Sequence, residues 1–362
     1  MQYNRPLTVY TTNTRRANVY QSAPQDIGQF FERLHSSQAI PLDHDAYMAL
    51  PKGQQDDLKD VGGFVLGELR GGQRKAGAVL SRCAAVLDAD NLGPGETENA
   101  VQRVETLGCC YCIYSTAKHS TGAPRLRIVI PFSEDIPADE YEPVTRLLCQ
   151  MIQPEMTWFD TTTAEPSRMM YYPAHCQDIA PVYYAGDKPL LDARALLSRL
   201  QGWQDVASWP RFPREQAPAR LAAKQGDPEA KHGVVGAFCR VYDVPAAMDK
   251  FLPGVYEETD TPGRYTFTGG STTGGAVLYD GGKFLYSHHA TDPCGGRLVN
   301  AFDLVRLHCF GDKDDEAAPG ARGNRLPSYG AMCELAVADE AVSALLDQEK
   351  QAEIAEAFSP SD

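Results

Sequence analysis

Basic residues are in short supply in this sequence: 34 Lys and Arg face 48 Asp and Glu, for a net charge of −14. A chain with that balance does not coat nucleic acid by bulk electrostatics, although a local basic groove is compatible with it. The deficit is uneven. Residues 301–362 carry 5 basic and 13 acidic groups, so eight of the fourteen net negative units fall in the last sixth of the chain, as a solvated helix or tail would give. Long apolar runs are also missing. None approaches the ~18 residues of a membrane span, and the opening MQYNRPLTVYTTNTRR has no apolar signal core. The ten cysteines mostly stand singly in apolar segments, which reads as buried thiols of a reducing cytosol rather than a disulfide framework. These absences lead to the expectation of a soluble, cytoplasmic protein with no membrane partner. The Gly-rich GGSTTGG (269–275) lacks the Lys-Ser/Thr ending of a P-loop, so no ATPase of that type is read.

What is present is an α+β pattern too long for one core, since single cores stop growing at roughly 250–300 residues. Residues 207–231, rich in Pro, Ala and Arg and without helical or strand period, mark a linker. The expected layout is a catalytic domain over 1–200, a linker over 201–231, a smaller helical and β-hairpin module over 232–312, and a loop, acidic helix and tail over 313–362. In the first part, 81–90 (SRCAAVLDAD) reads as a strand ending in carboxylates, 95–108 as a helix, and 109–115 as a strand. A half-buried strand over 125–131 and a helix entered through Pro137 follow. From Cys333 to about Phe358 an Ala/Glu/Leu-rich stretch predicts one helix.

Three constellations bear chemistry. Asp88 and Asp90, two apart on a strand, point the same way, and such a pair suits divalent cations. Asp160 follows an apolar residue and precedes Arg168 by eight, a third acid with a phosphate contact. Between them lie Ser115, Lys118 and His119, then Arg125 and Arg127 on one face of a strand, a cationic hairpin suited to a triphosphate. Taken singly, each is also what a solvated strand end, a turn Asp or an exposed hairpin face looks like. In the C-terminal module His288, His289, Cys294, His308 and Cys309 invite a zinc site, but their spacing fits no paired ribbon, and turn-forming or buried roles are expected instead.

Taken together, VLDAD (86–90), IYSTAKHSTGAPRLRIVIP (113–131) and FDTTTAEPSRMMYYPA (159–174) resemble the archaeo-eukaryotic primase (primase-polymerase) superfamily. The closer likeness is to the N-terminal primase-polymerase region of virulence-associated protein E family proteins of phages and mobile elements. KDVGGFVLGELRGGQRK (59–75), 236–253 and 269–308 extend it over most of residues 55–310. One departure is clear: the family's Ser-x-His motif is here Ser115 and His119, four apart. The resemblance implies an RRM-like mixed sheet with flanking helices. It implies that Asp88, Asp90 and Asp160 hold two Mg²⁺ or Mn²⁺ per site and that His119 joins them in catalysis. Ser115, Lys118, His119, Arg125, Arg127 and Arg168 would bind nucleotide, and Arg74 and Lys75 nucleic acid. The implied partners are a single-stranded DNA template or primer, nucleoside triphosphates and a helicase in cis or trans, in a bacterium or phage-infected host. The implied activity is that of a DNA primase-polymerase. The alternatives are a replication-initiation or DNA-binding module on an inactive primase fold, and a sugar-nucleotide transferase using the Asp-x-Asp pair.

Overall fold

The computed structural model describes residues 1–213, 222, 224–317 and 321–357. Residues 214–221 and 223 of the expected linker, and 318–320 and 358–362 of the expected loop and tail, lie outside the described residues. The chain divides into two compact units, Met1–Glu215 and Gln216–Asp362. The architecture is α+β, as expected: a mixed sheet system flanked by helices, and a separate C-terminal module of helices and strands.

The first unit is organised by an antiparallel sheet in the order Tyr183–Gly186, Tyr111–Ser115, Leu126–Pro137, Ser81–Ala89. Strand alternation sends Leu87, Ala89, Ile113, Leu126, Ile128 and Ile130 to one face, against helices Thr97–Glu105 and Ala138–Ile152. The opposite face, with Ala84, Val86, Cys112, Tyr114 and Val129, packs on Phe30, Phe31 and Leu34 of helix Ile27–His35 and on Val9, Phe64 and Leu66 of a second antiparallel sheet. Asp26 and Gln29 close that helix's N-terminus with a reciprocal capping box. A parallel pair, Ala174–Cys176 beside Gln38–Ile40, makes the sheet system mixed.

The Leu126–Pro137 strand runs past the predicted end at Pro131 because a bulge between Arg82 and Ala84 lets it keep pairing to Ser81. The same register fixes the chemistry at the other end of the pair: Asp88 lies opposite Arg127, and Ala89 opposite Leu126.

In the second unit five consecutive strands, Tyr256–Glu258, Arg264–Phe267, Ala276–Tyr279, Phe284–Ser287 and Leu298–Asn300, form an antiparallel meander. Two short helices precede it, Gly233–Val241 and Val244–Phe251, in keeping with the helical and hairpin module expected there. The single predicted C-terminal helix is two, Pro327–Ala338 and Glu340–Ala357. Asp339 breaks it by accepting the backbone N–H groups of Ala341 and Val342, while Lys250 and the Tyr242 hydroxyl hold its carboxylate. Among the described residues no helix is long and apolar enough to cross a membrane.

Candidate functional site

Where the two central strands leave the sheet, a small pocket opens to solvent. Its wall includes Lys59, Lys118, Arg125, Arg127, Tyr171 and Asp90. Arg127 is almost fully buried and donates to the Tyr171 carbonyl at 3.1 Å and to Asp88 Oδ2 at 3.4 Å. Arg125 donates to Asp90 Oδ2 at 2.9 Å. These are cross-strand pairs: the i, i+2 carboxylates of one strand meet the i, i+2 guanidiniums of its neighbour. Burial works against the charge of Arg127, but Asp88 and the Tyr114 hydroxyl hold its pKa above the ordinary arginine value.

The remaining cations are shaped by their crowding. Burial, then Lys59 and Arg125, push the Lys118 ammonium below the usual lysine value. Burial likewise pushes His119 down, and its Nδ1 accepts the Arg125 backbone N–H at 3.1 Å, which requires a neutral ring protonated at Nε2. His119 thus holds the backbone that carries Arg125. Lys59 stands 5.0 Å from the Tyr171 ring centre and pairs with Asp56.

Not every sequence-predicted residue reaches the pocket. The Ser115 hydroxyl accepts the Val182 backbone N–H at 2.9 Å, and neither it, Arg168 nor His119 lines the wall. Arg74 is set over Tyr20, 5.8 Å from its ring centre, and Lys75 follows it before the 76–78 turn. Sequence reasoning missed Lys59, Tyr171 and Thr116, all of which line the pocket. Only Thr116 and Tyr171 carried a signal, through their places beside Ser115 and Arg168.

The three acids are neighbours, since the Asp160 N–H donates to the Asp88 carbonyl at 2.9 Å and the charges of Asp88 and Asp160 both act on Asp90, but their ligand atoms do not all come within 4.8 Å of one another. Asp160 spends its Oδ1 on its own turn, accepting from the Thr162 N–H at 2.8 Å and the Thr162 hydroxyl at 2.6 Å. Asp88 and Asp90 are taken by the two arginines. Among the described residues, the only three His, Cys, Asp or Glu ligand atoms that all lie within 4.8 Å of one another are in the second unit, at Asp292, Cys294 and His308. There the Asp292 Oδ1 lies 3.1 Å from Cys294 Sγ and 3.1 Å from His308 Nε2. The Tyr256 hydroxyl stands 2.8 Å from His308 Nε2 and 3.4 Å from Cys294 Sγ. Although burial opposes it, hydrogen bonds from His308 and Cys294 hold the Asp292 carboxyl below the usual range. Of the five residues first considered for zinc, His289 is engaged by the Phe267 N–H and Thr272, and Cys309 is exposed.

Comparison with known proteins places the first unit. The family model of the VapE N-terminal domain matches residues 1–212. The chain belongs to this family. The likeness to virulence-associated protein E proteins is therefore borne out over that span, and the match stops short of the 236–253 and 269–308 segments. No curated protein matches the chain. Among solved structures, the AEP domain of the cyanophage S-2L primase-polymerase (PrimPol) is similar at 14% identity and a TM-score of 0.30, covering 53% of this chain and 87% of that one. Likeness at that level says nothing of the site.

For this VapE N-terminal domain chain one expectation is corrected. The two-Mg²⁺ or Mn²⁺ site expected at Asp88, Asp90 and Asp160 is not the ligand cluster found: Asp88 and Asp90 pair with arginines, Asp160 Oδ1 caps its own turn, and the ligand atoms that gather among the described residues are those of the zinc-type set Asp292, Cys294 and His308. The crowding also has a measurable consequence. Burial, then the Asp88 charge, raise the Asp90 carboxyl above its ordinary value despite Arg125. A carboxyl whose folded pKa is raised binds more protons folded than unfolded, so it costs stability as pH rises through that pKa and costs nothing below the unfolded value of about 3.9. Asp90→Asn is expected to raise the melting temperature at pH 7 and to leave it unchanged near pH 3. A variant less stable than wild type at pH 7 would show that the Arg125 pair outweighs the burial.

Proposed function

We propose that the first unit binds a nucleoside triphosphate in the Lys59–Lys118–Arg125–Arg127 pocket and serves as a DNA primase-polymerase on a single-stranded template. The observation that carries this is the convergence of four cations and an aromatic ring on one opening, in a chain of the VapE N-terminal domain family. Phosphate oxygens would take up Arg125 and Lys118, with the base against Tyr171. In nucleotidyl transfer a 3′-hydroxyl attacks the α-phosphate and pyrophosphate leaves. The part of this chain is to hold the triphosphate in line and to neutralise charge on the departing phosphates. His119 keeps the Arg125 backbone in place rather than exchanging a proton.

A second reading has its own support. Carboxylates already neutralised by Arg125 and Arg127 describe a module that binds nucleotide or single-stranded DNA for replication without transferring a phosphoryl group. Template-directed incorporation of labelled nucleotide by the purified chain, beside a direct binding measurement, separates the two. Product that falls sharply in Arg125→Ala, whose guanidinium lines the pocket, supports transfer there. Binding without product selects the second reading, and neither binding nor product overturns both.

A further inference from the structure

We propose that Asp292, Cys294 and His308 bind one zinc ion in the core of the second unit. The site is independent of the nucleotide pocket, so the two proposals fail separately. One thiol, one imidazole and one carboxylate make a ligand set for a borderline-soft cation; magnesium or calcium would ask for oxygen alone. The spacing agrees. Zinc–oxygen and zinc–nitrogen bonds of about 2.0–2.1 Å and zinc–sulfur bonds of about 2.3 Å give tetrahedral edges of roughly 3.3–3.6 Å. Both edges measured from Asp292 Oδ1 are 3.1 Å, within a few tenths of an ångström of a zinc edge, and the Cys294 Sγ–His308 Nε2 edge is no longer than 4.8 Å. The Tyr256 hydroxyl faces the fourth corner from 2.8 Å and 3.4 Å.

Charge and support point the same way. Asp292 and Cys294 are fully buried, and His308 is the only basic side chain paired with Asp292 among the described residues. A zinc ion with one thiolate, one carboxylate and one neutral imidazole is electrically neutral, which is what a dry core tolerates. On binding, the Cys294 proton leaves to solvent and the single ring proton of His308 sits on Nδ1. The other oxygen of Asp292 is already held by the Ser287 and Tyr256 hydroxyls at 2.7 Å each, which fixes the carboxylate's orientation. The ion would tie helix Ala301–Phe310 to the loop after strand Phe284–Ser287, a structural role in keeping with the site's burial.

The test is metal content of the full chain expressed with added zinc, read by mass spectrometry, with about one zinc per chain expected. Cys294→Ser should lose it and Cys309→Ser, an exposed thiol one residue after His308, should keep it. Because Cys294→Ser can also fail to fold, stripped wild type is titrated with cobalt, whose thiolate charge-transfer band should appear and saturate at one equivalent. Chelator should lower the melting temperature of the zinc form. A chain with no bound zinc, no cobalt band and a melting temperature indifferent to chelator overturns the proposal and leaves a hydrogen-bonded core. Zinc retained in full by a folded Cys294→Ser variant overturns it equally.

Discussion

Arg127→Met is expected to destabilise the first unit by about 3–5 kcal/mol, the cost of leaving a buried charge without its partner. Asp88 is 4% exposed and Arg127 8% exposed, so neither charge is relieved by water when the other is removed. Nη2 donates to Oδ2 at 3.4 Å, Nε stands at ion-pair distance, 3.4 Å, from Oδ1 without a hydrogen bond, and Arg127 also satisfies the Tyr171 carbonyl that the Tyr114 hydroxyl shares at 2.9 Å. Methionine fills much of the arginine's volume, so the loss measures charge rather than a cavity. The double variant Asp88→Asn/Arg127→Met should recover most of it, because a neutral amide no longer needs a counter-charge. All three tryptophans, Trp158, Trp203 and Trp209, lie in the first unit, so denaturant unfolding followed by tryptophan fluorescence reports on it directly. A loss below about 1 kcal/mol would mean the pair behaves as an exposed one.

That pairing also marks where the sequence stopped being legible. The alternation of RLRIVIP and the terminal position of VLDAD showed that two arginines share a face and two aspartates share a face. Local pattern carries no register, so it did not show that the faces meet. Once Asp88 is set opposite Arg127, the carboxylates become partners of the hairpin rather than a separate cluster. Asp160 misled for a different reason: an acid before Thr-Thr-Thr is a metal ligand or a turn cap with equal ease, and here it caps. Lys59 carried no local sign, because the pocket joins it to Lys118 across 59 residues of chain. In the second unit the His and Cys positions were visible. Asp292 was overlooked because it sits in the turn-like sequence TDPCGG, and the meander alone brings it under helix Ala301–Phe310. Strands and helices followed from period and punctuation; contacts distant in sequence did not.

Arg125→Ala is expected to weaken nucleoside triphosphate binding by about 10- to 100-fold, the worth of one charge-assisted hydrogen bond of ~1.5–3 kcal/mol. Two effects add at this position. The guanidinium is lost from the pocket wall, and Asp90, which it neutralises at 2.9 Å, is left to repel the phosphates. Lys118→Ala removes a cation that makes no carboxylate ion pair among the described residues, so its effect should be smaller. Asp90→Asn frees Arg125 from its competitor and should bind nucleotide more tightly than wild type. The pH profile gives an independent check. Burial and its cationic neighbours hold the Lys118 pKa below the ordinary lysine value, so the ammonium loses its proton early as pH rises and the attraction falls with it. Wild-type affinity should therefore decline on the alkaline side sooner than an ordinary lysine would dictate, and Lys118→Arg should flatten that decline because a guanidinium stays charged. Titration calorimetry with a non-hydrolysable nucleotide measures all five chains. Equal affinities in wild type, Arg125→Ala and Lys118→Ala would place the nucleotide elsewhere and remove the pocket from the function of this unit.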